Sequence, residues 1–257
     1  MDEELQYAER ATLLGIIADL RQELGVLRKL KPRGVLLDVG THCGFFLRKA
    51  RGMDWTLLGV EPSPIGAELA REYLGLDVRT ATLEAAGFPD ASADIVTMVD
   101  VFEHVADPRD LLAAVRRVLK DDGLLFIKVP NGRYNLFKYR LIRQIMGLKQ
   151  VEIFDAKEHV VHYTIETLRA SLAENGFGIR LDFVPLPIQD GAAWKCALRT
   201  IARRIARLQK AVGGGFGPLA TDIAVVAEKI PQAGTLAAGS ARTQAVRGAT
   251  TRNGSVA

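Results

Sequence analysis

The chain has 257 residues, 48% hydrophobic and 25% charged, an ordinary globular composition with length for one large domain or two small ones. No apolar run reaches about 18 residues, so nothing in it reads as a membrane-spanning helix. The net charge of +4 is concentrated: Lys195 to Lys210 holds six basic residues and no acid, and Arg242, Arg247 and Arg252 follow in the last stretch. The remainder is slightly acidic, which argues against a nucleic-acid-binding protein with a broad basic face.

The N-terminus, MDEELQYAER, is acidic and lacks the basic-then-apolar order of a signal peptide, so a cytoplasmic location is predicted. Cys43 and Cys196 lie far apart and form no metal-ligand cluster, which predicts two free thiols. Over residues 5–30, Leu13, Ile16, Ile17, Leu20, Leu24 and Leu27 recur at helical spacing until Pro32 stops the run. Residues 1–31 thus read as an N-terminal amphipathic helix.

Strand and helix signals then alternate. GVLLDV (34–39), WTLLGVE (55–61), a short stretch at 76–79, ADIVTMVD (93–100) and GLLFIKVP (123–130) read as strands. Between them, GFFLRKA (44–50), PIGAELAREYLG (64–75) and DPRDLLAAVRRVLK (107–120) read as helices, the last capped by Asp107 with proline in its first turn. Such alternation implies a parallel sheet with helices on both faces and a ligand crevice at the strands' carboxyl ends. Asp38, Glu61, Asp100 and Pro130 fall along that edge.

Beyond Asn131 the pattern changes. Tyr134 to Gly147 predicts a basic, aromatic helix, and a polar loop runs on to His162. TIETLRASLAENG (164–176) predicts a helix capped by Thr164, with Glu166 near its first turn and Gly176 at its end. IRLDFVPL (179–186) and TDIAVVAEK (221–229) are strand-like, separated by a basic helical insertion at about 190–218 that includes GGGFGP. Residues 231–257 are small, polar and aperiodic and read as a disordered tail, which leaves 32–230 as one domain.

The first strand runs into D-V-G-T-H-C-G: Asp38, Gly40 and Gly44, with His42 between them. A dinucleotide site would show G-x-G-x-x-G here. The acid at the strand end and the four-residue glycine spacing instead resemble the D-x-G-x-G-x-G loop of class I S-adenosylmethionine-dependent methyltransferases, with His42 in place of the middle glycine. Glu61 ends the second strand about 20 residues on, where an acid binds ribose hydroxyls. The stretch 81–131 is similar to the part of that family carrying the adenine-binding turn, the fourth strand, the E-H-V-x-D-P segment and the K-x-G-G turn, here Lys120-Asp121-Asp122-Gly123. Thr82 stands where the family often has an adenine-binding aspartate, so that contact is expected from the Leu83 or Glu84 backbone. The segment E-H-V-V-H-Y-T (158–164) and the helix after it resemble the small-molecule members of the group.

The resemblance implies a Rossmann-like α/β domain with a seven-stranded sheet whose last strand is antiparallel. It implies S-adenosyl-L-methionine as cofactor, held by Asp38, Gly40, Gly44, Glu61, Thr82, Leu83 and Asp100. Methyl transfer from a sulfonium needs near-attack positioning, and a general base only for a weak nucleophile such as a hydroxyl. His104, which follows Glu103 at the crevice edge, and His159 and His162, on the loop facing it, are the catalytic candidates, with structural roles as the alternative for each. His42 is expected to pack in the loop. The stretch from Arg133 to Arg140 is expected to line an acceptor pocket, and no metal is expected. The acceptor is read as a small molecule methylated at oxygen: a sugar, quinone, polyketide or lipid-linked glycan. The rival readings are a protein or RNA methyltransferase, or a non-catalytic cofactor-binding relic. The basic insertion can dock on an anionic membrane or pack on its own sheet.

Overall fold

The computed structural model describes residues 20–146, 160–186, 193–213 and 215–231. His159, most of the loop before His162, residues 5–19 of the predicted N-terminal helix and nearly all of the predicted tail lie outside them. The chain builds one seven-stranded sheet in the order β3-β2-β1-β4-β5-β7-β6. Its strands are β1 (Arg33–Val39), β2 (Asp54–Glu61), β3 (Asp77–Thr80), β4 (Ala93–Val99), β5 (Leu119–Pro130), β6 (Phe177–Phe183) and β7 (Asp222–Lys229). The helices are α1 (Arg21–Leu30), α2 (Phe45–Ala50), α3 (Pro64–Glu72), α4 (Arg109–Val118), α5 (Gly132–Met146), α6 (Ile165–Glu174) and α7 (Ala193–Gly213).

The first five strands pair in parallel. Only β7 runs antiparallel, to both β5 and β6. Side chains alternate between the two faces of each strand. Leu37, Val96, Met98, Leu125 and Ile127 therefore enter one core, which holds Leu112, Leu168 and Phe177. Leu36, Ile95, Leu124 and Phe126 enter the other, which holds Leu24 and Leu27 of α1 and Leu47 of α2. Both faces are covered, and this explains why the central strands read as continuous apolar runs.

The expected elements appear with shifted ends. Asp107 is not the cap of α4. Its carboxylate turns to Arg109, accepting from the backbone N–H at 3.2 Å and pairing with the guanidinium, and Pro108 takes the cap position. The helix also stops at Val118, because Leu119 already pairs with Ala93 and begins β5. Thr164 caps α6 with Thr167 as its reciprocal partner, and Glu166, in the first turn as expected, pairs with Arg133 at 3.0 Å. β6 begins at the fully buried Phe177, two residues before the predicted start.

One consequence of this topology positions the site. Strands β1, β2, β4 and β5 point their carboxyl ends to one edge. Pro130 pairs with Asp222, so β7 starts beside the end of β5. β6 ends at Phe183, opposite Ala224. Both α5, which follows β5, and α7, which joins β6 to β7, hang from that edge.

Candidate cofactor site

At this edge lies a cavity of about 860 Å³, lined by Asp38, Gly40, Glu61, Thr82, Leu83 and Asp100 among others. Six of the seven predicted cofactor residues therefore share one wall. The loop after β1 turns through three left-handed residues, Gly40 (φ 67°), His42 (φ 48°) and Gly44 (φ 82°). A Cβ on Gly40 would come within 2.6 Å of the Val101 side chain, so glycine is required for packing as well as for φ. Gly44 is the exception among the seven. It does not line the cavity, and a Cβ there would meet Leu76 at 2.3 Å and Ala70 at 3.2 Å. Its missing Cβ lets the start of α2 close onto the α3–β3 connection.

Glu61 is buried, and its two oxygens hold the loop. Oε2 accepts from the His42 backbone N–H at 2.8 Å, and Oε1 accepts from Ser63 N–H at 2.8 Å. A carboxylate offers about four lone-pair sites, so two remain for the hydroxyls of a vicinal diol. Asp38 is buried at the end of β1 and accepts from the Thr97 hydroxyl at 2.6 Å. Burial pushes its carboxyl up to about 7, against the lowering effect of that hydrogen bond. The Leu83 side chain is buried in the core, so this residue can offer the cavity only its backbone.

Asp100 follows β4 with φ 55°, a left-handed conformation that aspartate tolerates better than most residues. Behind it stands Lys128, an almost wholly buried lysine of β5, whose Nζ donates to both Asp100 oxygens at 3.0 and 3.1 Å. Burial alone disfavours the ammonium, but Asp100 and Asp222 outweigh it and hold the lysine charged. Glu103, next to this group, is pushed up to about 8, chiefly by burial. Sequence reasoning missed Lys128. A lone lysine inside the apolar run LLFIKVP was the available signal.

The histidines are divided. His42 and His104 line the cavity, both solvent-exposed. His42 was expected only to pack in the loop. His162 is half-buried and is not in the cavity wall. It lies one residue from Val161, whose N–H donates to the Glu103 carbonyl at 2.9 Å, while Tyr163 stacks on Phe102 at 5.1 Å. The segment with His162 thus braces the Phe102–His104 turn from behind. The Arg133–Arg140 stretch forms the start of α5 and is likewise absent from this wall. Among the described residues, no three histidine, cysteine or carboxylate side chains come together to hold a metal.

The cavity's charge is one-sided. Asp38, Glu61, Glu84, Asp100, Asp107 and Asp110 line it, with no lysine or arginine among the described lining residues. Such a wall favours a cationic ligand and repels a polyanion.

A family model described as "Methyltransferase domain" matches residues 7–181, more than half of the chain. The chain belongs to the class I S-adenosylmethionine-dependent methyltransferases. The cofactor of that family, S-adenosylmethionine, carries a vicinal diol and a cationic sulfonium, and the Glu61 carboxylate and the acidic wall fit both. Among curated relatives, an enzyme of Bartonella tribocorum named ubiquinone biosynthesis O-methyltransferase is 28% identical over 112 residues, 42% of this chain and 45% of the relative. A Brucella anthropi protein of the same name is 30% identical over a stretch of the same length. The chain spans less than half the length of the curated relatives it matches. Among solved structures, an S-adenosylmethionine-dependent methyltransferase of Thermotoga maritima superposes with a TM-score of 0.57 at 21% identity, over 88% of this chain and 95% of its own. That likeness establishes the shared fold.

His42 is this chain's departure from the family's usual loop, and its geometry predicts a mild effect. Only its backbone N–H bonds Glu61, and glycine would supply the same donor without left-handed strain of about 1 kcal/mol. His42→Gly is expected to leave the affinity for S-adenosylmethionine within about threefold of the parent by calorimetry, or to raise it. A loss beyond tenfold would assign the imidazole a needed contact.

Proposed function

We propose that this protein transfers the methyl group of S-adenosylmethionine to a hydroxyl oxygen of a small molecule. The observation that carries the reading is the acidic cavity at the strands' carboxyl edge, with the buried Glu61 carboxylate in its wall. S-adenosylmethionine, when bound, supplies an electrophilic methyl group on a sulfonium. The chain's own residues bind and orient. Gly40 allows close backbone approach, Glu61 offers two lone pairs to the ribose hydroxyls, and Thr82 and the Leu83 backbone border the adenine. Asp38 and Asp100 stand at the two strand ends, and the exposed Glu84 and Asp110 contribute negative charge. The oxygen specificity is supported by the relatives named as O-methyltransferases, which match over 112 residues of the chain.

A hydroxyl acceptor must lose its proton, and His104 is the histidine of the cavity wall suited to take it. His162 and His159 remain proposed acceptor-side residues, the first because its neighbours Val161 and Tyr163 contact the Phe102–His104 turn. The acidic wall disfavours RNA, the rival acceptor, because phosphates would meet carboxylates. The test is label transfer from methyl-tritiated S-adenosylmethionine to catechols, phenolic quinone precursors, sugars, total RNA and total protein. Label is expected in the small-molecule fraction, and His104→Ala should lower turnover about 100-fold or more while cofactor affinity holds. Label in RNA or protein, or cofactor binding with no transfer to any class, would overturn the reading.

A further inference from the structure

Helix α7 is mounted with its apolar side facing outward. Trp194, Leu198, Ile201, Ile205, Leu208 and Val212 recur at alternating spacings of four and three, which at about 100° per residue places them in one narrow stripe. All six are between 41% and 90% exposed. The opposite side of the helix faces the protein. There Ala206 is fully buried, Arg203 Nε donates to the Pro185 carbonyl at 2.8 Å and its Nη2 to Gln22 of α1, and Lys210 pairs with Asp182. Basic side chains thus anchor the helix, while the leucines and isoleucines that could have packed on the sheet face solvent. This reverses the orientation of an ordinary surface helix.

Helix α5 repeats the theme. Leu136, Leu141 and Ile145 are exposed by 40%, 43% and 73%. Neither α5 nor α7 contains an acidic residue, whereas both carry several arginines and lysines, including the exposed Arg204 and Arg207 of α7. Both hang from the sheet edge at which the acidic cavity lies.

We propose that the outward stripe of α7, with the exposed residues of α5 beside the same edge, docks on an anionic phospholipid surface. An apolar stripe on a helix whose charged residues are all cations suits insertion at the headgroup boundary, with arginines among the phosphates. A second copy of the chain is a poorer cover. Two α7 helices joined along the stripe would bring cations against cations, with no acid in the helix to pair them. Docking would bring the cavity's edge to the lipid and is independent of whether methyl transfer occurs.

Sedimentation of the full chain with vesicles decides it. The protein is expected to pellet with vesicles of mixed phosphatidylglycerol and phosphatidylcholine, to stay in the supernatant with phosphatidylcholine alone, and to be released by high salt. Ile201→Gln with Leu208→Gln alters only exposed positions and should abolish pelleting without lowering the melting temperature. Arg204→Gln and Arg207→Gln should each weaken partition about fivefold. A parent that stays in the supernatant with both vesicle types overturns the proposal. The stripe is then covered otherwise: by a second copy if the chain sediments as a dimer that the glutamine variant splits, or by the acidic residues 1–19 if it sediments as a monomer. Equal pelleting of parent and glutamine variant overturns it too.

Discussion

Glu61→Ala is expected to weaken binding of S-adenosylmethionine by about 1.5–3 kcal/mol, roughly ten- to 150-fold. The range is that of hydrogen bonds to a charged group, and Glu61 is suited to make two of them at once. Its oxygens are already fixed by the His42 and Ser63 N–H groups, so no side-chain freedom is lost when a diol arrives. The same two bonds complicate the experiment, since alanine also releases the loop after β1. Thermal unfolding without ligand measures that release separately. Glu61→Gln keeps an acceptor on one atom only, and its affinity should fall between alanine and parent. Calorimetric affinity within twofold of the parent for Glu61→Ala would remove Glu61 from the site and with it the assignment of the cavity.

The strand ends were legible because a parallel sheet forces them together. Once GVLLDV, WTLLGVE and ADIVTMVD were read as neighbouring buried strands, Asp38, Glu61 and Asp100 had to share an edge. At Gly44 the sequence holds no record of why the Cβ is missing. The collision that excludes a side chain there is with Leu76, across a helix and a strand that the spacing in the loop does not encode. The basic helical insertion expected at about 190–218 forms the amphipathic α7, and its inward face is the one from which Arg203 reaches the carbonyls of Val184 and Pro185, at the end of another element. Amphipathicity is a local property, whereas orientation depends on the tertiary neighbours. Lys128 shows the same gap. Its strand reads as buried on both faces, which already implies that a lysine there needs carboxylate partners. One of them, Asp222, lies on a strand 94 residues away in sequence and becomes its neighbour only through the antiparallel pairing of β5 with β7.

Lys128→Met is expected to destabilise the protein by about 3–5 kcal/mol, the usual cost of removing one partner from a buried ionic group. Methionine matches the lysine stem in length and fills the same space, so the loss reports charge rather than a cavity. What remains is two carboxylates facing one another. Asp222 is held high by burial and by Asp100; Lys128 is the larger of the two influences opposing them, the other being the Thr221 hydroxyl, which donates to it at 2.6 Å. Asp100 would also lose the two hydrogen bonds that hold its left-handed turn at the end of β4, loosening the cavity wall beside Glu103 and His104. Adding Asp222→Asn to Lys128→Met removes the buried charge that the lysine compensates, and should recover about half of the lost stability or more. Asp222→Asn alone should also destabilise, because it leaves Lys128 with one carboxylate instead of two. This sign change, harmful alone and restorative in the double variant, distinguishes an electrostatic group from a packing site. Urea midpoints of the parent, the two single variants and the double variant measure it, with unchanged slopes confirming that stability alone has moved. A Lys128→Met variant as stable as the parent, or strictly additive losses in the double, would mean that Asp100 is fixed by its backbone and that the lysine contributes only its carbon chain to the core.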